Sequence, residues 1–316
     1  MNNTQRIISS VKKVLPSTLK TSWWIVKVTV IVSFSILILE YLGVVGWISG
    51  LLSPLFSYIG LPGEAALAFV SGYFVNVYSA IAAMVTLNMD FRAITILSAM
   101  VLCAHNMIAE CAVQKKTGSS FVRMMIVRTI SAVIVAFVLN LIMPNKPDYS
   151  NTETLAIAGN TMLFKDMFLA WLKSTFFLVL KMVGLIFSLS ILQSILNEFG
   201  IIKLLSKGLK PVMLFFGLPA NTAFLWIVAN TLGLAYGAAV MIDETKSGNV
   251  SYKEADLLNH HISISHSNLE DLILLASVGA MVWWLLLSRW AMSFLLVWER
   301  RLEAWVANKL KIKSFR

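Results

Sequence analysis

Charge is scarce in this chain. Only 13% of its 316 residues are Asp, Glu, Lys or Arg, and 58% are hydrophobic, whereas soluble domains carry roughly 25% charge. That excludes an ordinary soluble domain and a disordered one. Cysteine is scarcer still: Cys103 and Cys111 are the two present. They read as lying on one helix, where they could not bridge, so no disulfide framework is expected, and their spacing is not that of a zinc pair. The chain holds no GxxxxGK[ST], no dinucleotide-binding glycine fingerprint, no HExxH and no nucleophile beside its base. Neither an enzyme nor a resident cofactor is therefore expected. Strand-length segments of alternating polarity are also missing, which argues for a helical bundle over a barrel. No cleavable leader is expected, because the polar start gives way to an apolar run long enough to be a true span.

Long apolar runs are what the chain has instead. A hydrocarbon layer about 30 Å thick needs roughly 20 apolar residues per helix. Residues 23–43, 121–143, 168–192 and 274–298 meet that length. The reading is an all-α polytopic membrane protein. Its net charge of +10 then reflects Lys and Arg gathered in cytoplasmic loops and tails rather than a nucleic-acid surface.

A loose internal repeat organises the chain. PLFSYIGLPGEAALAF begins at Pro54 and PVMLFFGLPANTAFLW at Pro211, a shift of 157 (211 − 54). At that shift Gly43 meets Gly200, Gly60-Leu61-Pro62 meets Gly217-Leu218-Pro219, and Met84 meets Met241. With four more residues inserted, His105 falls on His266 and Glu110 on Asp271. Repeats of this kind divide the chain into two units. The boundaries expected are 1–21 for a cytoplasmic N-terminal segment, 22–143 for the first repeat, 144–166 for a linker, 167–298 for the second repeat and 299–316 for a basic cytoplasmic tail.

Charge orients the repeats. Residues 43–63 hold no Lys or Arg, while the matching 200–216 holds Lys203, Lys207 and Lys210. Lys115, Lys116 and Arg123 follow the first His/acid segment, but 272–288 carries no positive charge. Matching loops with opposite bias should face opposite sides, so the repeats are expected to be inverted, with both termini in the cytoplasm. Each repeat would hold about five helical segments, two of them a hairpin or re-entrant pair, in the manner of transporters.

Polar residues inside the apolar runs mark the candidate site. SGYFVNVYSA places Asn76 and Ser79 near Gly72, and VANTLGLAYGAA places Asn230 and Thr231 near Gly233 and Tyr236. Such residues either let helices pack closely or line a solute pocket, and a buried carboxamide needs partners or a ligand. HNMIAE supplies His105, Asn106 and Glu110, and HHISISHSNLED supplies His260, His261, His266, Asn268, Glu270 and Asp271. Asn106 and Glu110, like His266 and Glu270, are spaced to share a helix face. Ionisable residues within a span are functional candidates by default, and histidine titrates near neutral pH. Glu110 also reads as interfacial, being close to Lys115 and Lys116. His260 and His261 are expected at the surface. Trp226 and Tyr236 could stack on a ring or simply pack.

The two GLP turns, each followed by a helix rich in small residues, resemble the Gate, or nucleoside-recognition, domain. That domain occurs in spore-maturation membrane proteins and in the membrane part of the ferrous-iron transporter, and it is similar to the core of concentrative nucleoside transporters. The resemblance runs from about residue 23 to 298 as two copies. It implies an inverted-repeat core with paired hairpins and broken helices, in the inner membrane of a bacterium. The function expected is secondary transport of a small polar solute, nucleoside-like, coupled to H⁺ or Na⁺. Asn76, Ser79, Asn106, Asn230, Thr231 and Asn268 would bind solute, and His105, Glu110, His266, Glu270 and Asp271 would handle the ion. Two other readings stay open: a divalent-metal permease, and a non-transporting component that works with a partner protein. The partners expected are lipid, the solute or ion, and further copies of the chain.

Overall fold

The computed structural model describes residues 3–87, 89–144 and 164–310. Most of the expected linker, the side chain of Tyr236 and the tail lysines Lys311 and Lys313 lie outside the described residues. Every regular element described is helical. The first half runs α1 (Asn3–Tyr41), α2 (Val44–Ser57), α3 (Ala65–Phe74), α4 (Val77–Thr86), α5 (Phe91–Ala104), α6 (Met107–Lys116) and α7 (Phe121–Ile142). The second runs α8 (Phe164–Glu198), α9 (Ile201–Gly208), α10 (Lys210–Phe215), a single 3₁₀ turn, α11 (Ala223–Leu232), α12 (Leu234–Lys246), α13 (Tyr252–Ser265), α14 (Asn268–Ala276) and α15 (Val282–Lys309).

Among the described residues, four stretches are long and apolar enough to cross a membrane: Asn3–Tyr41, Phe91–Lys116, Phe121–Ile142 and Phe164–Leu196. Three of these contain or coincide with runs expected to span. The fourth expected run, 274–298, is not one helix. It is interrupted between α14 and α15, where Gly279 takes φ 108° and the Met281 amide donates to Thr95 Oγ1 at 3.0 Å. Helix interruptions also explain why each half holds more pieces than the five expected.

Helix α7 shows why this is a membrane architecture. Its outward face carries Ile126, Ile130, Val133, Phe137 and Leu141, all exposed, while Arg128, Ser131, Ala132 and Ala136 are buried. Apolar outside and small or polar inside inverts the soluble pattern, and suits a lipid solvent. Alanines make up most of the buried surface of α3 and recur on those of α4 and α5, letting backbones approach closely.

Helices α1 and α8 pack antiparallel along the side of the bundle. Arg6 pairs with Glu198 at 3.0 Å, Trp171 Nε1 donates to Ser33 Oγ at 3.1 Å, and the Tyr41 and Phe164 rings meet edge-on at 5.0 Å. Helix α1 continues unbroken from Asn3 through the segment expected to be a cytoplasmic N-terminal one, and α15 runs on through the start of the expected tail.

The repeat is visible in the backbone. Gly43 and Gly200 are left-handed at φ 73° and 67°, Gly60 and Gly217 at 71° and 73°, Asn106 and Ser267 at 47° and 53°, and Gly118 and Gly279 at 107° and 108°. Each pair is separated by 157 or 161 residues, the two shifts read from the sequence.

Candidate site at the paired helix breaks

Two short helices deliver the site. Helix α5 begins at Asp90, whose side chain accepts from the Ala93 amide at 2.8 Å. Helix α13 begins at Ser251, with Glu254 completing a reciprocal cap. Each is 14 residues long, and at 1.5 Å per residue spans about 21 Å, short of a 30 Å hydrocarbon layer. They stop at His105 and His266, because the next residues turn left-handed. Those residues are tied to breaks in neighbouring helices: the Asn106 amide donates to Gly72 O at 2.9 Å, and the Ser267 amide to Ala229 O at 3.0 Å.

Two fully buried arginines seal the broken ends. Arg128 Nε donates to Cys103 O and its Nη2 to His105 O, both at 2.9 Å. Arg289 repeats this, with Nε donating to Ile264 O at 2.6 Å and Nη2 to His266 O. A guanidinium fork at the negative end of a helix satisfies orphan carbonyls and opposes the dipole.

The histidines thus placed meet each other. His105 Nε2 and His266 Nε2 lie 3.3 Å apart. Glu110 Oε1 is 3.1 Å from the first and 3.4 Å from the second. Each imidazole Nδ1 faces the carbonyl four residues back, Val101 O at 3.2 Å and Ile262 O at 2.7 Å, so Nδ1 is the donor and Nε2 carries the lone pair. Three lone-pair atoms therefore converge in a buried space, where a proton or another cation shared among them would relieve their repulsion. Arg128 Nη2 approaches the other Glu110 oxygen at 2.7 Å, though off the hydrogen-bonding direction. Asp271 is buried, 4.0 Å from His105 Nε2, and its Oδ2 makes no hydrogen bond.

Glu110, which also read as placing its charge in water, is buried within the protein. His260 and His261, expected at the surface, are fully buried too. His260 Nε2 accepts from Arg123 Nε at 2.8 Å, and Trp226 Nε1 donates to His261 Nδ1 at 3.2 Å. They are buried because α13 packs chiefly against α15, with α5, α7 and α11 covering its other sides. The shared-face spacings also fail as drawn: the chain turns at Asn106 and Ser267, so His266 caps α13 while Glu270 belongs to α14. Cys103 and Cys111 likewise fall on different helices, and both are free thiols.

The remaining polar candidates fall into two groups. Asn76 and Ser79 form a reciprocal cap at the start of α4, with Ser79 N donating to Asn76 Oδ1 at 2.9 Å. Asn76 Nδ2 is buried without a hydrogen bond. Thr231 donates back to Ile227 O at 2.7 Å, which is helix-internal. Asn230 and Asn268 belong together: Asn268 Nδ2 donates to Asn230 Oδ1 at 2.6 Å, and Arg289 Nη1 donates to Asn268 Oδ1 at 2.9 Å. Glu270 accepts from the Tyr78 hydroxyl, which joins the halves again.

Arg128, Arg289 and Tyr78 were not singled out from sequence. The shift of 161 that pairs His105 with His266 also pairs the two arginines (289 − 128), so the signal was there. Beyond the cluster, a second polar knot joins α7, α13 and α15. Ser119 Oγ and Arg300 Nε donate to Asp256 at 2.7 and 2.8 Å. Partial burial opposes ionisation of Glu303, but hydrogen bonds involving Glu299, Arg123 and Arg300 hold its carboxyl down at about 2.

Residues 22–143 match the family model described as Gate, nucleoside recognition. Over 280 residues the chain is 30% identical to the uncharacterized membrane protein YvoD of Bacillus subtilis (strain 168), covering 88% of this chain and 89% of that protein. No solved structure matches. With that family-model match, with most of its length aligned to a membrane protein, and with helices fit to cross a bilayer, the chain belongs to the Gate, or nucleoside-recognition, family of membrane proteins.

Proposed function

We propose that this protein is a secondary transporter of a small polar solute, nucleoside-like in size and polarity, coupled to H⁺ or Na⁺. Its two repeats would be inverted in the inner membrane with both termini cytoplasmic, as the opposite charge of matching loops suggests. The observation that carries the reading is the convergence of broken helices from both halves on one buried polar cluster. His105 and Glu110 come from one half, and His266 and Asp271 from the other, an arrangement suited to holding a proton or another cation. Breaks of this kind, meeting between repeats, are where transporters bind solute and ion.

Solute is placed beside that cluster, where Asn230 and Asn268 pair between Arg289 and the α11 break. Asn76, with its free carboxamide nitrogen, and Asn106 complete the polar lining. Ser79 and Thr231 spend their hydroxyls on backbone carbonyls and act as supports for the broken helices.

The test is uptake of labelled nucleosides and other small polar solutes into proteoliposomes under imposed H⁺ or Na⁺ gradients. Uptake driven by one gradient and lost in Asn230→Ala supports the carrier. A folded protein that moves no solute under either gradient points instead to a component acting with a partner protein.

A further inference from the structure

His105 Nε2, His266 Nε2 and Glu110 Oε1 form a nearly equilateral triangle with edges of 3.1, 3.3 and 3.4 Å. An ion bound tetrahedrally with bonds of roughly 2.0–2.1 Å spaces its ligand atoms about 3.3–3.4 Å apart. An ion seated just off the plane of this triangle therefore reaches all three atoms with almost no movement of the side chains. Both rings are already set for ligation. Their Nδ1 atoms are held by backbone carbonyls, which fixes the tautomer and aims Nε2 inward, as is usual around bound metals. Arg128 occupies the far oxygen of Glu110, leaving Oε1 to face the rings. Asp271 Oδ2 lies outside this triangle, but it is buried, unbonded and 4.0 Å from His105 Nε2, so no hydrogen bond holds it away from an ion seated there. The paired imidazoles favour Zn²⁺, Co²⁺ or Fe²⁺ over Mg²⁺ or Ca²⁺.

We infer that this cluster is a divalent transition-metal site with His105, His266, Glu110 and Asp271 as ligands, and that the bound ion clamps the two halves together. The clamp acts on the transporter proposed above and so rests on that reading, whereas the metal site rests on the geometry alone. A metal held by ligands from both halves resists any motion that separates His105 from His266, so occupancy arrests solute movement.

Co²⁺ titrated into the purified full chain in detergent tests the site. One ion per chain should bind with the intense visible bands of tetrahedral Co²⁺ and be displaced by Zn²⁺. His105→Gln and His266→Gln should each weaken binding at least about tenfold, while His260→Gln, a buried histidine outside the cluster, should bind as the natural chain does. Monodispersity and an unchanged helical circular-dichroism spectrum show which variants have folded, and Asp271→Asn serves as a second ligand variant if either glutamine variant fails to fold. Absence of the bands in the folded natural chain, or undiminished binding in folded ligand variants, overturns the metal site. In proteoliposomes, Zn²⁺ should stop solute uptake and a chelator should restore it. Labelled Zn²⁺ accumulating in the vesicles would overturn the clamp in favour of a permease. Should no solute uptake be found at all, the transporter fails, and the Co²⁺ titration still decides the metal site.

Discussion

Replacing Arg128 with Met is expected to be among the most damaging single changes in the protein. The side chain is fully buried, and one guanidinium serves three partners: Cys103 O, His105 O and the Glu110 carboxylate. Methionine fills similar volume but donates nothing. Each abandoned buried carbonyl costs about 1–3 kcal/mol, and a buried carboxylate stripped of its partner about 3–5 kcal/mol. These contributions overlap because the groups share one site, so a loss of about 4–6 kcal/mol follows. The assay is thermal unfolding of the detergent-purified protein followed by tryptophan fluorescence. At roughly 2–4 °C per kcal/mol for chains of this order of size, the midpoint should fall by about 10 °C or more. Adding Glu110→Gln to Arg128→Met should recover part of the loss, on the order of 2 kcal/mol, because a carboxamide needs no counter-charge. Arg289→Met should cost less than Arg128→Met, since it abandons two carbonyls and the neutral carboxamide of Asn268. An Arg128→Met protein melting within about 3 °C of the natural chain, or a double variant less stable than the single, would refute the reasoning.

Three further outcomes are expected. Gly279→Ala puts a methyl 2.7 Å from the Phe91 ring on a backbone at φ 108°; it should lose about 2–4 kcal/mol in the same melting assay. Asn106 is left-handed at φ 47°, so Asn106→Gly should leave the melting temperature unchanged or raised, whereas Asn106→Val should cost about 1–2 kcal/mol. Glu303 titrates at about 2 when folded, below the ordinary carboxylate value of 4.5. Its stabilisation is therefore present above pH 4.5 and lost as pH falls toward 2. A Glu303→Gln protein should lack that part of the acid-induced decline when stability is followed by circular dichroism.

The helical class was legible in the sequence because apolar runs of spanning length have few other outcomes. The matching turns were legible as well, because a left-handed backbone favours glycine, as at Gly60 and Gly217. Sequence reasoning failed at the breaks. Asn106 and Ser267 are not glycines and interrupt helices that the apolar pattern reads as continuous, so side chains assigned to one face fall on two helices. His260 and His261 were misplaced for a different reason. Their burial follows from the packing of α13 on α7 and α15, and no local pattern encodes which neighbours a helix will acquire.

Composition and periodicity alone determined that this chain is helical and belongs in a membrane. Those are properties of segments, set by the thickness of the bilayer and by what each residue can do locally. The cluster itself was decided only by tertiary structure. His105 and His266 are 161 residues apart, and their rings meet because each caps a broken helix whose end is held by a buried arginine from a third helix. A distance of 3.3 Å between two nitrogens is a property of packed helices, set by the whole arrangement rather than by either segment.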